Sequence, residues 1–507
     1  MLDFMQLRGR VLRKMGAFRK AAEAVDGARQ LDKADRYMNS KATKYLLRSG
    51  QISKAEQTIA IFTRHEGDPQ HNLFEMQCSW FELEWAEAQI RAGKPGLAMK
   101  KALAVHTHFE DFVEDQFDFH TYCMRKVTLR SYLGMLRMVD QLRSQKSYRR
   151  ASAILVRAYL KLYDDQPRGD STDGGGLPDM SNMTAAEKKK AKAKARRDGK
   201  KKAAEQEAEK QKMLDEVARQ SALVKEVANG NASNPTTAAG VGSAADKKGA
   251  ANKRRGRGSA PPVDEDPLGL TLLAKDPLAE SARLVSLLTE HAGAFVETHV
   301  LAFDTAIRRG KYLMAARAVI RGLALEPNNP ELLLRAIQLY HQLSLVPAAP
   351  TPKADETAHA DGSSNSRCSP PSPVAARVLA EESEGLLGTE GVSGAVSALV
   401  ALAEDPGKGS LCARVCAAQA IVCVSGSVNE SGTQDEAIAL VVGGLKGRGV
   451  TVGACVTALE AVKKIVLGGE KEEVVEEFRR ACAGIFPMAE AFGAEDVGEA
   501  EKGDAVA

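Results

Sequence analysis

The residues with the densest chemistry lie at positions 115–132, DQFDFHTYCMRKVTLRSY, where acid, aromatic, imidazole, thiol and base crowd together. A nucleophile relay needs a base beside the thiol and a third group that orients the base. On a helix running from about Phe117, His120 and Cys123 share a face because they are three apart, while Asp118 falls on another side. The carboxylate therefore cannot orient the imidazole. The alternative assigns Phe119, Tyr122, Val127 and Leu129 to packing between helices, with Arg125, Lys126 and Arg130 on a wet face.

Other chemical signals read the same way. The eight cysteines (78, 123, 368, 412, 416, 423, 455 and 482) form no CxxC pair, so neither a zinc site nor a disulfide framework is expected, and a reducing compartment suits them. Cys412, Cys416 and Cys423 recur at helical spacing without a second pair of ligands, as small buried apolar residues do. His106, His108, His291 and His299 have no partner at metal spacing. KRRGRG at 253–258 is the nearest approach to a pyrophosphate-cradling loop, but it sits in Gly/Ala-rich text rather than after a strand. There is no Walker A motif. Catalytic and metal-ligating residues are accordingly expected to be none in this chain.

Whatever positions these residues is helical. Of 507 residues, 44% are hydrophobic and only 5% aromatic, and abundant Ala, Leu, Lys, Glu and Arg favour helix over sheet. Net charge is only +4, so any polyanion contact must come from local clusters. No apolar run is read as long enough to cross a bilayer and no signal peptide is recognised, which predicts a soluble, intracellular protein.

Internal repeats supply the architecture. Gly16, Phe18, Ala21 and Val25 align with Gly50, Ile52, Ala55 and Ile59, each 34 residues on, the tetratricopeptide period. Each such unit is two antiparallel helices in which small residues permit close approach and a glycine turn joins the pair. A third unit carries Trp85, Ala86, Gly93, Ala98 and Val105. A fourth is read through Leu142, Tyr148, Ala151, Leu155 and Ala158, and a further one through Ala302, Gly310, Tyr312, Ala315, Val319, Gly322 and Pro327. Met1 starts inside a first-helix pattern without a cap, so upstream repeats are expected to be missing.

The expected fold is all-α, a tetratricopeptide-type helical-hairpin solenoid with disordered charged linkers. Repeats occupy 1–163, a Gly/Pro/Asp loop 164–183, and a Lys/Arg-rich charged helix 184–228. A disordered linker follows at 229–262, then helical repeats at 263–345 (one unit at about 296–329), a linker at 346–374, a C-terminal helical region at 375–495 and a tail at 496–507.

In a solenoid the first helix of each hairpin lines the concave wall. Stepping three or four residues along these helices gives Gln6, Arg10 and Lys14, then Tyr37, Ser40, Lys44 and Arg48, then Trp80, Leu83, Glu87 and Arg91. A tryptophan beside Arg and Lys suits an interface anchor and an anion pocket. Tyr37, Trp80, Leu83, Glu87 and Arg91 are therefore candidate partner contacts. In the charged helix, Lys188, Lys189, Lys190, Lys192, Lys194, Arg196, Arg197, Lys200, Lys201 and Lys202 are dense enough to neutralise several phosphates of ribosomal RNA. No aromatic interleaves, so base recognition is not expected.

The blocks DKADRYMNSKATKYLLRSGQISKAEQTIAIFTR, EMQCSWFELEWAEA, DQFDFHTYCMRKVTLRSY with the later YLKLYD, and ETHVLAFDTAIRRGKYLMAARAVIRGLALEPNNPEL resemble the auxiliary, non-catalytic subunit of the NatA protein N-terminal acetyltransferase. The resemblance covers about residues 1–163, the charged segment and the late repeat. It implies a ring-like solenoid around a small GNAT-fold catalytic subunit, tethered to the ribosome near nascent chains, cytoplasmic with a minor nuclear pool. Acetyl-CoA would be used by the partner, with no cofactor in this chain itself. Inositol hexakisphosphate held between the subunits is a further implication, with Lys41, Lys44 and Arg48 as candidate ligands. A peptide-binding adaptor for chaperone or RNA-processing complexes is the other reading of such repeats.

Overall fold

The computed structural model describes residues 1–64, 68–166, 266–344 and 373–493, the last without 389, 406, 408, 426–430, 448–449 and 467–471. The proposed loop, charged helix and disordered linker between 167 and 262, with their ten candidate basic residues, lie outside the described residues, as does nearly all of the 346–374 linker. Among the described residues every regular element is a helix.

The repeat glycines make the hairpins. Helix α1 (Leu2–Lys14) pairs with α2 (Phe18–Leu31), α3 (Arg36–Arg48) with α4 (Ile52–Ala60), and α6 (Ser79–Arg91) with α7 (Pro95–Lys126), after a short α5 (Pro69–Glu75) in the longer loop. At the turns, Gly16, Gly50 and Gly93 have φ of +84°, +80° and +74°, a left-handed conformation that costs other residues about 1–2 kcal/mol. Each glycine amide bonds back to the carbonyl three residues earlier, and the next amide to the one five earlier, as in Gly16 to Arg13 and Ala17 to Leu12. This closes the first helix and aims the chain back along it. Close approach follows: a β-carbon on Gly9 would stand 2.4 Å from Val25 Cγ2 of the facing helix.

The fourth hairpin corrects the sequence reading. Helix α7 runs for 32 residues and carries α8 (Leu129–Asp140) out of the stack, so that no residue of α8 is buried. The predicted residues Leu142, Tyr148, Ala151, Leu155 and Ala158 are buried, but four of them belong to α9 (Lys146–Asp165), the first helix of its hairpin. Its second helix follows the short α10 (Leu270–Leu273) and is α11 (Pro277–His291), against which α9 packs. One core holds Leu83, Val105, Leu155, Leu284 and Leu301 together. The stack therefore continues without a break across the intervening chain.

Helix α12 (Val296–Arg308) and α13 (Tyr312–Leu325) form the next hairpin, turning at Gly310 with φ +66°. Then come α14 (Pro330–Ser344), α15 (Pro373–Leu387), α16 (Gly391–Glu404), α17 (Leu411–Ser425), α18 (Ser431–Gly444), α19 (Val452–Ile465) and α20 (Glu472–Ile485). Residues Val374–Glu404 satisfy the length and hydropathy of a bilayer span, which the sequence reading did not expect. They fold as α15 and α16, broken at Gly388 and Gly391 with φ of +79° and +64°, and Leu379, Leu387, Leu399 and Ala403 enter the core with Phe303 and Leu339.

The circuit closes on itself. Met488 joins the cluster of Leu12, Ala17 and Ala21, and Glu490 N donates to Gly16 O at 3.3 Å. Helix α2 has no capping side chain of its own. Glu490 supplies one from the far end of the chain, its Oε1 accepting from Arg19 N at 2.5 Å, where a carboxylate meets free amides and the positive end of the helix dipole.

Candidate functional site: the charged concave wall

First helices α3, α6, α9 and α12 stand side by side along the wall. Asp35 caps α3 by accepting from Tyr37 N at 2.8 Å, and from there Tyr37, Lys41, Lys44 and Arg48 form one stripe at intervals of three or four. Tyr37 is half-exposed and its hydroxyl accepts from Gln6 Nε2 at 2.9 Å. Lys41 Nζ lies 5.2 Å from the Tyr37 ring centre and Lys44 Nζ 5.8 Å from that of Trp80.

The facing stripe on α6 is Trp80, Glu84, Glu87 and Arg91. Glu84, absent from the sequence candidates, is its centre. Its side chain is 2% exposed, and Arg48 holds it with two bonds, Nε to Oε2 at 2.8 Å and Nη2 to Oε1 at 2.7 Å. Lys44 approaches to 3.5 Å and Arg150, from α9, to 3.3 Å. Arg150 also donates to Glu87 Oε1 at 2.7 Å, and Arg91 Nη2 donates to Leu47 O at 3.1 Å. Three helices are thus stitched through one carboxylate.

Burial pushes the Glu84 carboxyl up, but the hydrogen bonds and charge of Arg48, with Arg150 and Lys44, hold it below the ordinary carboxylate value. The hydrogen bond to Glu84 raises Arg48, and that to Glu87 raises Arg150. Lys41, Lys44, Arg48, Arg91 and Arg150 share this wall with the two carboxylates Glu84 and Glu87. Lys44, Arg48 and Arg150 keep 31%, 29% and 31% of their side chains open to solvent, so positive charge persists at the lip. Such a surface orients an incoming anion by direct donation from exposed Nζ and guanidinium groups.

Leu83 requires correction as a wall residue: it is 3% exposed and packs in the core with Ala86 and Leu155. The stripe continues from Trp80 to Glu84 because that step advances by about 40°, whereas Leu83 swings to the apolar side. A glutamate within SWFELEWAEA reads as solvent-facing, and nothing nearby in sequence announces its partners on α3 and α9. The detectable signal is the spacing from Arg48, one repeat plus two residues.

The dense stretch at 115–132 divides between two elements. Cys123, on α7, is 2% exposed, and His120 Nδ1 is hydrogen-bonded to Tyr132 OH across the α7–α8 turn. The side chain of Asp118 lies outside the described residues. His106 and His108 are both buried in the core, His106 Nε2 against Ser152 Oγ at 3.0 Å and His108 Nε2 against Glu82 at 2.9 Å. Among the described residues no group of three or more His, Cys, Asp or Glu could hold a metal ion.

The family described as "N-terminal acetyltransferase A, auxiliary subunit" matches residues 1–242 and 237–322, which takes in the entire wall. The Arabidopsis thaliana N-terminal acetyltransferase A complex auxiliary subunit NAA15 is 37% identical over 356 residues, 70% of this chain and 35% of that protein. The mouse N-alpha-acetyltransferase 16, NatA auxiliary subunit, is 37% identical over 333 residues, 65% of this chain and 35% of its own length. The chain thus spans about a third of the length of these relatives. A solved structure of Naa15/Naa10 bound to HypK-THB is 28% identical, covers 68% of this chain and 38% of that one, and has a TM-score of 0.47. With more than half of its length matched, the chain belongs to the family of auxiliary subunits of N-terminal acetyltransferase A.

Proposed function

We propose that this chain is a non-catalytic scaffold that holds a GNAT-fold catalytic subunit against its concave wall and so directs acetyl transfer to the α-amines of nascent chains. The observation that carries the reading is the family match over the whole wall. The wall's make-up supports it: a half-exposed Tyr37, a partly exposed Trp80 and an excess of cations form a polar rim around apolar anchors. Acetyl-CoA is bound by the partner. Lys41 and Lys44, on the exposed side of α3, receive an inositol polyphosphate at the junction, whereas Arg48 gives its two best donors to Glu84 and contributes mainly charge. The basic residues of 188–202 contact ribosomal RNA through its phosphates, which places the complex in the cytoplasm at the ribosome.

The test is co-expression with the catalytic subunit and size-exclusion chromatography of the pair. Stoichiometric co-elution, with activity redirected to small uncapped N-termini, is the expected result. Separate elution and an unchanged substrate range would refute the scaffold and favour a peptide-binding adaptor. Sedimentation with ribosomes, lost when 188–202 is deleted and weakened steeply by salt, tests the tether.

A further inference from the structure

A second cationic surface lies away from the wall, between the second helices α11 and α13 and floored by α12. A cavity of about 370 Å³ opens there, lined by Arg309, Lys311, Arg317 and Arg321 with Glu290 as the only acid. Lys311 and Arg321 are ten residues apart, so the cations flank a trough ~15 Å long. Among the described residues none of these four side chains makes an ion pair or hydrogen bond, in contrast to Arg308, which grips Asp164 at 2.8 Å, and Arg335, which grips Asp304 at 2.9 Å.

The floor is apolar, with Val285, Ala302 and Ala306, but it holds one polar group. Thr305 is 3% exposed and its Oγ1 has no hydrogen-bond partner. Buried Thr43 and Thr58 satisfy their hydroxyls by bonding to a carbonyl one turn back, Asn39 O at 2.9 Å and Lys54 O at 2.7 Å. A buried hydroxyl without a partner costs about 1–3 kcal/mol, so its place at the base of a cationic cavity points to a ligand that completes it.

From this juxtaposition of four unpaired cations and one orphaned hydroxyl, we infer that the trough between α11 and α13 binds a small phosphorylated molecule. Its phosphoryl oxygens meet the guanidinium forks of Arg309, Arg317 and Arg321, and one bonds the Thr305 hydroxyl after a small shift of the floor, which in the free protein closes that oxygen off from solvent. Three guanidinium groups match phosphate oxygens in pairs where a point charge would not. The cavity's size is that of a small-molecule pocket rather than of a docked helix.

The experiment is titration of the full chain with inorganic tripolyphosphate, in a Lys41→Ala/Lys44→Ala background that removes the wall's own lip. Saturable binding is expected, weakened at least tenfold by Arg317→Ser/Arg321→Ser and about fivefold by Thr305→Val. Both variants should keep the circular dichroism of their parent and melt no lower, Thr305→Val somewhat higher because it removes the unpartnered hydroxyl. Unchanged affinity in the double arginine variant overturns the proposal. So does displacement of tripolyphosphate by hexa-aspartate at equal charge, which would assign the trough to acidic peptides.

Discussion

The two cationic surfaces of this protein use the same residue types to opposite ends. On the concave wall, Arg48 and Arg150 converge on a carboxylate that is 2% exposed, and their best donors are committed to joining α3, α6 and α9. In the outer trough, Arg309, Lys311, Arg317 and Arg321 surround a cavity with one acid among them. A buried ion costs several kcal/mol to desolvate and is tolerated only when its partners are held in place, so the wall's charges are part of the stack. Charges on an open trough bear no such cost and can be exchanged without loss of fold. The contrast separates residues that build the solenoid from residues that wait on its surface.

The sharpest way to break this distinction is to remove the carboxylate at the centre of the wall. Glu84→Ala strands Arg48 and Arg150 beside a cavity, and is expected to destabilise by about 3–5 kcal/mol, the range for breaking a buried pair. Urea unfolding of the variant measures it. A loss under about 1 kcal/mol would mean that the wall's charges are as dispensable as surface pairs.

Acid should act next, and through the same stack. His106 lies between α7 and α9, with Ser152 bonded to its Nε2 at 3.0 Å. Burial, followed by the charges of Arg283 and Arg143, lowers its pKa to about 4 from an ordinary 6.5. The unfolded chain therefore takes up this proton as pH falls through 6.5, while the folded chain resists until about 4. Stability is fully present above pH 6.5 and lost progressively toward pH 4, by on the order of 3 kcal/mol from this group. His106→Gln should flatten that stretch of the stability profile, measured by urea midpoints at intervals of pH.

What could be read in advance follows from locality. The turns at Gly16, Gly50, Gly93 and Gly310 were legible because a hairpin with a left-handed glycine is a local device repeated at a fixed spacing. The fourth hairpin was not, since its two helices, α9 and α11, end at Asp165 and begin at Pro277, and no spacing rule spans the chain between them. The nearest helix-forming neighbour, α8, carries enough apolar residues to imitate a partner while remaining exposed. The wall was legible in its cations and in Trp80, which lie at helical intervals. Glu84 was hidden because its environment is made by Arg48 and Arg150 from two other helices. The closure through Glu490 onto α2 was equally hidden, a cap supplied across 471 positions.

The finest test is in the trough, where the smallest effect carries a sign. Arg317 and Arg321 are one helical turn apart with like charges, an arrangement that opposes the helix by about 0.2–0.5 kcal/mol. If these residues belonged to the scaffold as Arg48 does, replacing one would cost stability. Because neither is paired with an acid among the described residues, Arg321→Gln should instead raise the unfolding free energy by about 0.3 kcal/mol at low salt, and by less as salt screens the repulsion. Matched urea titrations at two ionic strengths resolve the sign. A salt-dependent gain fits charges held apart against their own repulsion for a ligand that neutralises them, whereas a loss places Arg321 with the wall's structural arginines and joins the two surfaces into one class.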